Sequence, residues 1–279
     1  MTSEIRERTP KEIKTGYWAR MALSVREAID MHYISGQMTK DPQTKERPWG
    51  NVTEHCLVET ARVETLGGWI GLPEDSIKDM KIGAFLHDYS KRQEIIATKE
   101  ANKSGTSPLA AVKVEQQKSE ELLIEHGYGN RVRRLASSAG GYAPQLIESQ
   151  RILDQPDISD EDWAYLIVHY VDDCSIGADW VRPSQVNTTG NRVNIIDYRA
   201  EGNKAKTGYN RISEEISAEL ADHPVLGGMN SHDSMSIVSH GIERRLAQRI
   251  AEITGESIDP LLIPELVDQR IRQALTNGR

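Results

Sequence analysis

Apolar residues recur every three or four positions along almost the whole chain, and the sustained alternation that marks a half-buried strand is nearly missing. That period commits the chain to packed helices, so the expected fold class is all-α. The punctuation agrees. Pro10 after Thr9 opens a helix through YWARMALSVREAIDMHY, and GQMTKDPQTKERPWG is a loop by its Gly, Pro and polar content. Helices are predicted at roughly 52–70, closing near Gly71, and at roughly 74–91, opening with Pro73, Glu74 and Asp75. After ANKSGTSP another runs to HGYGN, a shorter basic one follows, GGYAP breaks the pattern, and Ser159 caps DEDWAYLIVHYVDDCSIGADW.

From Pro183 to Asn210 the chain is polar and irregular, with RVNIIDYR the only segment suited to a short strand or hairpin. Helix returns at about 211–221, 231–254 and 260–276. The expected organisation is therefore a helical domain over 1–182, a loop over 183–210 serving as lid, linker or plain surface excursion, and a smaller C-terminal extension over 211–279.

A chain of 279 residues can bury a full core without staples. Its two cysteines, Cys56 and Cys174, stand in no metal-binding or secreted spacing, which predicts a reducing compartment and a cytoplasmic location. No segment is apolar for long enough to span a bilayer. The net charge of -8 argues against general nucleic-acid binding, which needs a strongly basic face. The Arg131, Arg133, Arg134 cluster and the Arg244, Arg245, Arg249 cluster read as solvated helix faces.

Chemistry concentrates in GAFLHDYSKR, where His87 and Asp88 follow an apolar run that pulls them toward the core. A buried imidazole and carboxylate need partners, because an unpaired buried charge costs several kcal/mol or more. A second His-Asp pair, His232-Asp233, lies among Gly, Asn and Ser at a helix start, where capping explains it. Two other helices offer donors beside buried surface: His55 in NVTEHCLVETARV, and Asp172 with Asp173 at the end of AYLIVHYVDDC. His169 shares the Asp172 face and reads as a core histidine.

His55, the adjacent His87 and Asp88, and the distant Asp172 resemble the signature of the HD-domain metal-dependent phosphohydrolases. The flanks WGNVTEHCLVETARV, IGAFLHDYSKR and LIVHYVDDCS resemble that family's, and the likeness covers about residues 47–178. It implies an HD-type helical core and one divalent ion held by His55, His87, Asp88 and Asp172. Manganese or magnesium follows from family habit, while nitrogen and oxygen donors also suit iron, cobalt, nickel or zinc. Members with more metals carry extra histidines, whereas this chain has Glu115 and Ser138 near those places, with His126 at a helix end.

The implied activity is metal-assisted hydrolysis of a phosphoester, most naturally of a nucleotide. The alternative is a nucleotide- or signal-binding regulatory module with little turnover. Arg47 and Trp49 resemble a phosphate-gripping Arg and a base-stacking Trp placed before the same motif in bacterial nucleotidases, although those enzymes have an acid where this chain has Lys91. Lys91 can pair with Asp88 or face a substrate phosphate, and Glu54 and Asp173 are candidate orienting groups or proton carriers. Self-association into a homo-oligomer is left open.

Overall fold

A computed structural model describes residues 20–22, 24–40, 42–44, 49–175, 185–186, 192–204 and 210–276, and among them lie twelve α-helices. They are α1 (Arg26–Ile34), α2 (Gly50–Trp69), α3 (Glu74–Leu86), α4 (Lys91–Ser104), α5 (Pro108–Glu125), α6 (Asn130–Ala136), α7 (Ala143–Leu153), α8 (Asp160–Asp173), α9 (Ile195–Lys204), α10 (Asn210–Glu219), α11 (Ser231–Thr254) and α12 (Ile263–Thr276). A 3-10 turn at Pro260–Leu262 leads into α12. β1 (Gln185–Val186) pairs antiparallel with β2 (Arg192–Val193), a two-residue ribbon that leaves the fold all-α. The expected helix start at Pro10 lies outside the described residues.

Sequence punctuation explains most boundaries. Ser159 accepts a hydrogen bond from the Asp162 amide at the start of α8, and Gly71, with φ near 72°, closes α2 through a Leu72 amide bond to the Gly67 carbonyl. α8 is buried without interruption from Trp163 to Asp173, so it is the axis of the packing, with α2, α3, α6, α7 and α11 around it. α3 approaches α6 closely because Gly83 has no side chain: a Cβ there would lie 2.6 Å from the Leu135 Cβ. The core is continuous, and Val238, Ile242, Leu246, Ile263, Val267 and Ile271 from α11 and α12 belong to it together with α2 and α8 side chains.

Several local expectations change. ANKS closes α4 and is not loop, and α8 ends at Asp173 with Cys174 as its C-cap, short of the whole DEDWAYLIVHYVDDCSIGADW stretch. The helix predicted at 74–91 ends at Leu86, and His87–Ser90 form a turn before Lys91 opens α4. The break arises from tighter bonds, Tyr89 N to Leu86 O and Lys91 N to Asp88 O, each spanning three residues. RVNIIDYR divides instead of forming one strand. Arg192 and Val193 pair in β2, Asn194 then caps through its side-chain oxygen on the Ile196 amide, and the rest enters α9. Ile195, Ile196 and Ala200 are buried on that helix, which packs on α11.

Candidate metal centre and the cleft above it

α2, the turn after α3, and the end of α8 deliver His55, His87 with Asp88, and Asp172 to one place. Their approach is fixed from behind by His32 on α1. Its Nε2 lies 2.8 Å from the Phe85 carbonyl, which only accepts, so the proton is on Nε2 and Nδ1 accepts from Thr53 Oγ1 at 3.0 Å. Burial lowers the His32 pKa to about 4 and keeps the ring neutral. Gln37 donates to the Asp88 carbonyl and steadies the turn.

Glu59 joins this set, and it, not Asp88, completes the group of mutually close donors. Glu59, one helical turn after His55, is fully buried and places its carboxylate 2.7 Å from His55 Nε2 and 3.0 Å from His87 Nδ1. His55, Glu59, His87 and Asp172 each offer a donor atom within 4.8 Å of the others. His55 Nε2 lies 3.5 Å from Asp172 Oδ1, and His87 Nε2 lies 3.6 Å from Asp88 Oδ2. Donors around one ion at bond lengths of about 2.1 Å sit roughly 3.0–3.4 Å apart, and the 3.5 Å between His55 Nε2 and Asp172 Oδ1 is close to that. His87 adds a sharper sign: Nδ1 is 2.7 Å from the Ala84 carbonyl and so carries a proton, which leaves Nε2, buried and without a hydrogen-bond partner, as the nitrogen that would face an ion once its own proton is shed. The group can hold one metal ion.

The electrostatics say the same. Burial alone would lower the pKa of His55, but the Glu59 carboxylate, with Asp172, overrides it and holds the ring well above the usual histidine range. His87 behaves likewise: burial lowers its pKa, and Glu59 and Asp88 outweigh that. Burial would raise Asp88 and Asp172, yet Lys91 with His87 depresses the first, and Arg199 with His55 depresses the second. Such a cluster demands positive charge, supplied by protons or by a divalent ion.

Above it opens a cleft of about 710 Å³. His55, Asp88 and Asp172 form part of its wall, with Lys91, Trp49 and Arg199 beside them. Lys91 Nζ is 3.1 Å from Asp88 Oδ1 and 3.9 Å from Glu94. Ile95, Ile212, Ile216 and Met235 add apolar surface to the lining, with Asn203, Ser213 and His232 among them. No family model, curated protein or solved structure matches the chain.

The remaining predicted residues lie elsewhere, except His232, which lines the cleft. Asp173 is turned from the cleft, accepting from Ser239 Oγ with His169 Nε2 at 3.7 Å, because consecutive helical side chains point about 100° apart. His169 is fully buried and bonded to the Ser138 carbonyl. Glu54 is half-buried beside His55 and does not line the cleft, and Arg47 lies outside the described residues. His126 is exposed at the end of α5. Asn230 caps α11 on the amides of His232 and Asp233. Arg131, Arg133 and Arg134 pair with Asp79, Glu120 and Glu148. Cys56 and Cys174 are buried free thiols.

Sequence reasoning missed Glu59 and Arg199. Glu59 had a readable signal, an acid four residues after His55 on a helix face shared with apolar residues. Arg199 had none, since it arrives from a segment read as loop or strand.

Proposed function

We propose that the chain is a metal-dependent phosphohydrolase of the HD type, cleaving a phosphoester of a nucleotide. The observation that carries this reading is the grouping of His55, Glu59, His87 and Asp172, with His55, Asp172 and the adjacent Asp88 also lining a cleft that bears Lys91 and Arg199. A divalent ion held there would lower the pKa of a bound water toward neutrality and polarise a phosphoryl group. The nitrogen donors favour manganese over magnesium, which prefers oxygen.

The protein's own groups have separable tasks. His55 and His87 must be neutral to bind the ion, so they shed their protons as it enters. Glu59 fixes both rings, contacting His87 on the nitrogen that also bonds Ala84. Lys91, on the cleft wall, favours an anionic substrate. Trp49 and Tyr142 give the cleft aromatic surface, and with Ile95, Ile212 and Ile216 they suit a base or another flat group. No described helix is long and apolar enough to cross a membrane, and the buried thiols suit the reducing cytoplasm.

The test is release of phosphate or nucleoside from a panel of nucleotides with added manganese, magnesium, cobalt or nickel. Turnover that disappears in Asp88→Ala is expected. A wild type that cleaves nothing in the panel removes the nucleotide assignment.

A further inference from the structure

Arg199 stands in α9, beyond the stretch that carries the family resemblance, yet its guanidinium reaches the cleft wall at Asp172. Nη1 donates to the Asp172 carbonyl, to Asp172 Oδ1 at 3.2 Å and to the Ser175 carbonyl at 3.3 Å. Nη2 donates to the same Oδ1 at 3.1 Å. The carboxylate is thus gripped end-on, between the two terminal nitrogens. Among the described residues nothing accepts from the Nε–H or from the Nη2–H lying parallel to it, and Nε is not sealed inside the protein. Those parallel donors form the edge of a guanidinium that matches two oxygens of a phosphate or carboxylate.

α9 is fastened so that this edge stays in place. Asp197 lies 2.9 Å from His240 Nε2 on α11, whose Nδ1 lies 2.7 Å from Glu243. Asn194, at the head of α9, donates to Glu243 at 3.1 Å, and Lys204 at its other end meets Asp233 at 2.6 Å. A clamp held at both ends loses little freedom when it binds. On the near side, Lys91 holds Asp88 as Arg199 holds Asp172, so each carboxylate has its own cation. Only Arg199 keeps a two-pronged edge beyond that pairing.

We propose that Arg199 is the oxyanion-binding residue of this cleft, taking two oxygens of a tetrahedral phosphoryl group on its Nε–Nη2 edge while its other side holds Asp172. The identity of the anion rests on the phosphohydrolase reading; the fork itself does not.

Inorganic phosphate titrated by calorimetry into manganese-supplied wild type, Arg199→Lys and Arg199→Gln tests this, with manganese content measured on each protein and nucleotide cleavage followed in parallel. Phosphate affinity is expected to fall at least tenfold in Arg199→Lys and further in Arg199→Gln, with manganese content unchanged and KM rising more than kcat falls. On the wild type alone, phosphate should slow phenylglyoxal labelling of Arg199 several-fold, a readout independent of whether the variants fold. The assignment is overturned if the variants bind phosphate as tightly as wild type, if wild type binds none, if phosphate gives Arg199 no protection, or if the variants lose manganese in step with phosphate, which would make Arg199 a strut for Asp172. A wild type that binds phosphate through Arg199 and cleaves no nucleotide keeps the anion site and removes the phosphohydrolase reading.

Discussion

Glu59 has the most to do at the scale of single residues, since a fully buried carboxylate with two imidazoles beside it governs their orientation and their charge. Glu59→Gln is expected to weaken manganese binding by about 10- to 100-fold, measured by competition with a chromophoric chelator. His55 and His87 have pKa values raised well above the ordinary histidine range, so the metal-free protein holds protons that an ion must displace. Manganese affinity should therefore rise with pH across neutrality, and calorimetry in buffers of different ionisation enthalpy should register proton release. His32 has the opposite sign. Its native pKa of about 4 lies below the ordinary 6.5, so between those values the unfolded chain binds a proton that the native chain refuses. Stability from this group is complete above about pH 6.5 and is lost on acidification toward 4, by on the order of 3 kcal/mol. Urea midpoints at pH 7 and 5 should differ less in His32→Gln than in wild type. His55, His87 and Asp172 were legible in the sequence because each stands against an apolar helix face, where an ionisable group needs a reason. Glu59 stands in an equally apolar setting but is not marked by it, because four-residue spacing on a helix also describes an ordinary solvent-facing acid.

Elements set the distances between these residues. Gly83, one turn before His87, lets α3 lie against α6, and Gly83→Ala would put a methyl 2.6 Å from the Leu135 Cβ. The nearest obstacles include the Leu135 and Ala136 backbone, so the helices must separate, at a cost of about 1–3 kcal/mol in thermal or urea unfolding. Manganese affinity should fall with it, since α3 carries the turn that holds His87 and Asp88. Helix existence was readable from the three- and four-residue period along most of the chain, and Pro73, Gly71 and Ser159 marked ends correctly, whereas α4 and α7 were not foreseen. The end of α3 was not readable, because the apolar period continues toward Tyr89 while the backbone tightens into a turn. α9 escaped for a related reason: Val193, Ile195 and Ile196 are β-branched and favour strand locally, but burial of Ile195, Ile196 and Ala200 against α11 prevails.

Across the whole molecule the C-terminal helices reach back to the centre. Arg62 on α2 donates Nε and Nη2 to the two carboxylate oxygens of Asp268 on α12, both at 3.2 Å, and Nη1 to the Cys174 carbonyl at 3.2 Å just after Asp172. Arg62→Met strands a buried carboxylate and is expected to cost about 3–5 kcal/mol, whereas Arg62→Met with Asp268→Leu should recover much of it in urea unfolding. Contacts of this range, between residues 62 and 268, leave no trace in local periodicity, so the sequence could suggest an extension but not where it docks. The central claim remains that three separated parts of the chain meet on one divalent ion. Equilibrium dialysis against manganese followed by elemental analysis tests it most directly. About one ion per chain in wild type, lost in both His55→Ala and Asp172→Asn while the proteins stay folded, is the predicted result. An absence of bound metal in wild type, or full occupancy in either variant, would contradict it.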